Sequence, residues 1–280
     1  MKPKIIGLIT AWYAEKWIAA AVEQALEYCD EVIVAIGANT KPLAALEDTT
    51  YTIVSKYKDK ITLIGASMSQ TLSLGRANTL NRMLSVSKFR KAGNWVWILD
   101  VDEFYFNCAY QKIRKAINSG LYNHIQVEEK NFFINTTRYL ICSHRRLFRI
   151  KNSDNKFKPT QHWTGPLTKK YTLKRDDKQQ GMFHYSYVVN VEYRRLQWET
   201  EYQHKQSQKL KWLSEIFVPY DLDNEEFWIS KNKKLFGIKS PIYLTEVKPN
   251  TDGKFFVYND RHPPHVETAG ITSIKDFRKT

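Results

Sequence analysis

The sequence predicts an α/β fold, a mostly parallel sheet flanked by helices, followed by a helical and mixed C-terminal extension. Two observations predict it. Up to residue 103, four short apolar runs alternate with stretches of helical periodicity, the pattern of βαβ units. Those runs lack the apolar–polar alternation of a half-exposed strand, as expected of parallel strands covered on both faces.

The first run is KIIGLIT (4–10). The helix AEKWIAAAVEQALEYC (14–29) follows, with Trp17, Ile18, Ala21, Val22, Ala25 and Leu26 on one face. DEVIVAIG (30–37) is a second buried strand, TYTIVSKYKD (50–59) a second helix and KITLIG (60–65) a third strand. GRANTLNRMLSVSKF (75–89) is helical and NWVWILDVDE (94–103) is the fourth strand. Beyond residue 106 the pattern loosens. YQKIRKAINSG (110–120) is a helix stopped by Gly120, and HIQVEEKNFFI and YLICSHRRLFRI alternate as antiparallel strands do. Residues 151–181 are polar and rich in Pro and Gly, and are expected as loop. Residues 191–217 are expected as one long helix and 224–236 as a shorter one, before turn-rich strands or coil. The expected division is a nucleotide-binding and catalytic domain over 1–190, with 191–280 packed on it.

At 280 residues, 42% hydrophobic and 26% charged, the composition is that of a globular chain and excludes disorder. No apolar run approaches the ~20 residues of a membrane helix. The basic N-terminus runs into Glu15 and Lys16 with no small-residue cleavage site, so it reads as a strand and not a signal peptide. Three scattered cysteines argue for a reducing compartment, with the cytoplasm as the expectation. A net charge of +14 fits either a well-solvated surface or contact with a polyanion.

The chemistry concentrates in Asp100-Val101-Asp102-Glu103, where the fourth strand ends. Ligands of open parallel sheets bind at the carboxyl ends of strands. In extended chain, Asp100 and Asp102 point the same way, and two hard oxygen donors suit Mn2+ or Mg2+. An isolated Asp-x-Asp is better read as a helix cap with solvated acids, so the surrounding order of motifs decides.

That order resembles the nucleotide-sugar-dependent glycosyltransferases of the GT-A fold, in particular the family 2-like group. The resemblance covers roughly residues 3–106: Ala14-Glu15 after the first strand, Asp30-Glu31 opening the second, GRANTLN (75–81), then AGNWVWILDVDE (92–103). Downstream, GMFHYSYV (181–188) resembles that group's Gly-x-x-His-x-x-Tyr segment. The resemblance implies a metal (Mn2+ or Mg2+) held by Asp102 and His184, and Asp100 on ribose or sugar hydroxyls. It further implies a base pocket at Thr10, Ala11 and Trp12, with Arg76 and Asn81 facing the nucleotide of a donor, a UDP-sugar first among the candidates. Two positions depart from the pattern. Ile36 stands where the group usually has a base-binding Asp, and Trp163 replaces the Glu of a His-Glu pair.

An inverting transfer needs a base to take the acceptor's proton. Glu129, its neighbour Glu128 and His162 are the candidates, and a retaining mechanism needs none of them. The implied acceptor is a hydroxyl of a glycan, lipopolysaccharide or protein, or of a hydroxymethylated DNA base, to which the positive charge is suited. Trp198, Trp212 and Trp228 are either stacking surfaces for it or core. Two readings from other classes compete: an Asp-x-Asp phosphatase-like hydrolase, and a non-catalytic nucleic-acid-binding protein.

Overall fold

In the computed structural model, the described residues are 2–133, 138–159, 162–176, 179–187, 191–199, 203–221, 224–236, 256–258 and 260–270. The chain opens with β1 (Ile5–Ala11), α1 (Ile18–Tyr28), β2 (Glu31–Ile36), the short α2 (Thr50–Val54) and β3 (Thr62–Gly65). Next come α3 (Leu72–Val86), β4 (Trp95–Asp100), the two-residue β5 (Glu103–Phe104) and α4 (Asn107–Asn118). After these, β6 (His124–Phe133) and β7 (Arg138–Arg149) form a long antiparallel pair. β8 (Phe157–Lys158) and β9 (His162–Trp163) make a separate ribbon, and β10 (Lys170–Leu173) and β11 (Met182–Tyr187) return to the sheet. The remaining elements are α5 (Val191–Glu199), α6 (Gln203–Trp212) continuing into a π-helical turn, α7 (Glu225–Phe236), β12 (Phe256–Val257) and α8 (Pro264–Thr268).

The sheet runs β3-β2-β1-β4-β7-β6-β11-β5. Its first four strands are mutually parallel, and the change in strand order falls between β1 and β4. Thr10 lies opposite Asp100 across that junction, so the ends of β1 and β4 open into one crevice. β7 then joins β4 antiparallel, and β11 runs parallel to β6 but antiparallel to β5.

Alternate residues of the parallel strands enter two separate cores. Ile5, Ile9, Val32, Val34, Trp97 and Leu99 pack with Ile18 and Val22 of α1 and Ile113 of α4. Ile6, Leu8, Ile33, Val96 and Ile98 pack with Leu80 and Met83 of α3 and with Phe157 and Trp163 of the ribbon. Both strand faces are therefore apolar, and each fully buried Leu, Ile or Val contributes roughly 1.5–3 kcal/mol. A third core joins Trp198, Trp212, Ile216, Phe217 and Tyr220 in the C-terminal helices, so Trp198 and Trp212 are packing residues and not open stacking surfaces.

Several local features depart from expectation. α3 begins a turn earlier than periodicity indicates, because the Leu74 amide donates to Thr71 Oγ1 (3.4 Å). The segment expected as loop contributes β8, β9 and β10, the last parallel to β6. The long helix expected over 191–217 is helical wherever described; residues 200–202 lie outside the described residues. The C-terminal part returns to the sheet: β12 pairs with β7, and His265 of α8 reaches Glu27 of α1 (3.3 Å). Lys130 of β6 is fully buried, its ammonium 4.4 Å from the Phe183 ring centroid and 5.3 Å from that of Tyr258, donating to the Gln180 carbonyl. Among the described residues, no helix is long and apolar enough to cross a membrane.

Candidate active site

The crevice at the β1/β4 junction is a cavity of about 650 Å³. Thr10, Ala11 and Trp12 line it from the end of β1, Arg76 from α3, Asp100 and Asp102 from the end of β4, and His184 from β11. Seven of the residues singled out in the sequence thus meet in one place. Trp12 is fixed by its indole N–H donating to the Leu43 carbonyl (2.7 Å). Tyr13, beside it on the wall, adopts φ +53°, a left-handed conformation rare for a bulky residue and concentrated at ligand sites.

Arg76 reaches the cavity because α3 docks closely. A Cβ at Gly75 would lie 2.6 Å from the Asn39 carbonyl oxygen, so only glycine allows that approach. The guanidinium then pairs with Asp100 Oδ1, while Arg146 of β7 lies 3.4 Å from Asp100 Oδ2 and pairs with Glu103. Burial alone would raise the Asp100 pKa; the two arginines outweigh it and hold the carboxyl well below the usual range. Burial likewise disfavours a charged Arg146, but Glu103, Asp100 and Glu129 keep the guanidinium protonated. Asp100 is therefore an anchor for arginines, with both oxygens facing guanidinium groups.

Asp102 differs. Among the described residues it pairs with no lysine or arginine; its charged neighbour is His184, with Nε2 at 3.7 Å from Oδ1. Backbone pairing sets this contact. The Tyr185 amide donates to the Asp102 carbonyl (2.9 Å), and His184 lies opposite Glu103 in the β11–β5 register. From the far side, buried Gln24 fixes the same turn: its amide donates to the Glu103 carbonyl (3.0 Å) and accepts the Tyr105 N–H (2.6 Å). Glu103 is fully buried, accepts the Asp100 amide (3.3 Å) and stands 3.8 Å from His184 Nε2.

These residues fit a divalent ion. Asp102 and the His184 nitrogen facing it offer one oxygen and one nitrogen donor, a mixed pair suited to Mn2+; His184 also belongs to two tighter groups of possible ligands, one with Asp100 and Glu103 and one with Glu129 and His144. Burial opposes the charging of His184, yet Glu129, Asp102 and Glu103 around it raise its pKa to about 9. An incoming ion would take over that charge balance.

Four expected residues serve otherwise or fall outside. Asn81 does not line the cavity: its amide donates to the Phe157 carbonyl (2.8 Å) and accepts the Phe157 N–H (2.7 Å), clamping the ribbon to α3. Glu129 is fully buried behind His184 and has no surface on the cavity, a geometry that does not present it to an acceptor hydroxyl. Glu128, on the opposite face of β6, pairs with Lys174 (2.6 Å). His162 lies opposite Lys158 in the ribbon, and its side chain lies outside the described set.

Sequence reasoning missed Arg146 and His144, which the alternation in Ser143-His144-Arg145-Arg146 puts on one face of β7. It also missed Arg194 and Gln197 of α5, which line the cavity although the helix was assigned to the extension.

No family model matches the chain, and neither does any curated protein. Among solved structures, S. aureus TarS 1-349 is similar at 14% identity over 85% of this chain and 81% of that one, with a TM-score of 0.40. The same protein in complex with UDP is similar at 15% identity over 82% and 79%, with a TM-score of 0.44. A 4-diphosphocytidyl-2C-methyl-D-erythritol synthase is similar at 12% identity over 75% and 86%, with a TM-score of 0.31. The strand order itself makes this a mostly parallel α/β sheet flanked by helices.

Proposed function

We propose that this protein is a metal-dependent glycosyltransferase that moves a sugar from a nucleotide-sugar donor to an acceptor hydroxyl. The observation carrying this reading is that Asp102, which among the described residues pairs with no lysine or arginine and faces His184, shares one cavity with Thr10, Trp12 and Arg76 at the carboxyl ends of parallel strands. A divalent ion held by Asp102 and His184 would supply charge neutralisation for a nucleoside diphosphate leaving group. The chain's own residues do the rest. The end of β1 offers Trp12 as a flat wall for the base. Arg76, oriented by Asp100, presents a cation to the diphosphate, and Lys16 and Arg194 add charge at other parts of the wall. Their preorganisation means little reorganisation is needed as charge develops on the leaving oxygen.

The hydrolase reading requires Asp100 as the nucleophile, and both of its oxygens face arginines. The decisive experiment is a panel of nucleotide sugars, UDP-sugars first, assayed for diphosphate release with and without Mn2+. The panel is repeated with glycan, protein and hydroxymethylated DNA acceptors. Ion-dependent release confined to one donor supports the proposal, and no release with any donor removes it. The net charge of +14 supports including DNA, and a steep salt dependence of affinity would single it out.

A further inference from the structure

Behind His184, on the side away from the cavity, sits a fully buried carboxylate that the proposed chemistry does not use. Glu129 Oε1 lies 3.4 Å from His184 Nδ1 and 3.3 Å from Nε2 of His144, while the Asn131 amide donates to the same oxygen at 3.5 Å. Its other oxygen, Oε2, is buried without a hydrogen-bond partner among the described residues. The elements explain the convergence. Glu129 is on β6 opposite Cys142, His144 reaches it diagonally from its place opposite Val127 on antiparallel β7, and His184 comes from β11, which runs parallel to β6 in register Met182 to Glu129. A buried carboxylate is costly unless paired. This one is placed where the ring nitrogen remote from Asp102 must find an acceptor.

An imidazole that binds a cation through one nitrogen commonly donates its other N–H to a carboxylate, which fixes the tautomer and the ring plane. We infer that Glu129 is a positioning residue for His184: it accepts the Nδ1 hydrogen and commits Nε2 to an ion held with Asp102. The inference rests on the proposed role of His184 at the metal. Glu129 takes no part in bond making. His144, more exposed, occupies the second approach to the same oxygen and braces the carboxylate without touching the cavity.

The test uses the whole chain, Mn2+ alone as the binding probe and Mg2+ for nuclear magnetic resonance. The wild type is expected to show a His184 Nδ1 proton protected from exchange. Glu129→Leu, of similar size without an acceptor, should lose that proton and bind Mn2+ about ten- to a hundred-fold more weakly. Glu129→Gln, which keeps an acceptor but not the charge, should fall between. His144→Gln should retain the proton and hold Mn2+ affinity within about two-fold. Unchanged Mn2+ affinity and a protected proton in folded Glu129→Leu would overturn the inference. So would a loss in His144→Gln as large as in Glu129→Leu, because the ion would then sit among Glu129, His144 and His184. Should the Glu129 variants not fold, absence of the protected proton from the wild type, or that same loss in His144→Gln, still decides against it. Full Mn2+ affinity in Asp102→Ala would remove the underlying metal assignment, while the proton readout still judges the Glu129–His184 contact.

Discussion

The two halves of the sheet make different contributions to the same cavity. The parallel half, β3-β2-β1-β4, is apolar on both faces and meets the cavity only through its strand ends: Thr10, Ala11, Trp12 and Asp100, with Asp102 just beyond. The half built from β6, β7 and β11 carries charge through its interior, with Glu129, Lys130, Arg146 and His184 all buried. One half supplies a platform with a register; the other sets the electrostatics. Charged groups at a strand end retain access to water, whereas charged groups inside a sheet must be paired, so damage to the two halves should differ in kind.

The largest effect is expected at the platform's rim. Asp102→Ala should lower sugar-transfer kcat on the order of a thousand-fold, about 4 kcal/mol, with the unfolding midpoint in urea unchanged. Equal losses of activity and stability would dissolve the contrast between the halves. In the charged half, Arg146→Met strands buried Glu103 and leaves Asp100 with Arg76 alone, and should destabilise the fold by about 3–5 kcal/mol in denaturant titrations, whatever it does to turnover. Asn81→Ala leaves both Phe157 backbone groups without their side-chain partner and should cost about 1–3 kcal/mol by the same measurement.

A pH titration sharpens the comparison. The His184 pKa is raised from 6.5 to about 9, so its stabilising contribution is complete below pH 6.5 and is lost as pH rises through 9. In metal-free buffer the Tm difference between the wild type and His184→Gln should shrink across that window. The smallest effect belongs to Asp30, at the start of β2. Burial opposes its ionisation, but Lys4, the Ile5 amide and Arg114 outweigh this and lower its pKa from 3.8. Its stabilisation is present above about pH 3.8 and lost on further acidification; Asp30→Ala should cost about 1 kcal/mol at neutral pH and nothing in strong acid.

The same contrast explains what the sequence disclosed. Strands buried on both faces read as unbroken apolar runs, so β1 to β4 and the acids at their end are legible from local pattern alone. Arg146 and His144 are not, because their meaning depends on the register of β6 and β7 and on an irregularity between Ile125 and Gln126. Asn81 lies on the expected helix, yet its partner Phe157 is 76 residues away on a ribbon that periodicity does not reveal. His184 was found only through its motif; no local pattern announces that Glu129 stands behind it. In sequence, α5 follows a loop-rich segment and so looks like the start of the extension, whereas Arg194 and Gln197 bring it to the cavity wall.

The buried ammonium of Lys130 bears on the order in which the protein is completed. Its cage joins Phe183 of the sheet to Tyr258, far along the chain. During synthesis β6 emerges long before Tyr258, and burying a lysine is costly until the groups that replace water, here the two rings, the Gln180 carbonyl and the Asp176 carboxylate at 4.0 Å, are in place. Complete burial of Lys130 therefore draws on chain made well after β6 itself. A late, non-local closing step of this kind is slower than local pairing and leaves surface open to chaperones.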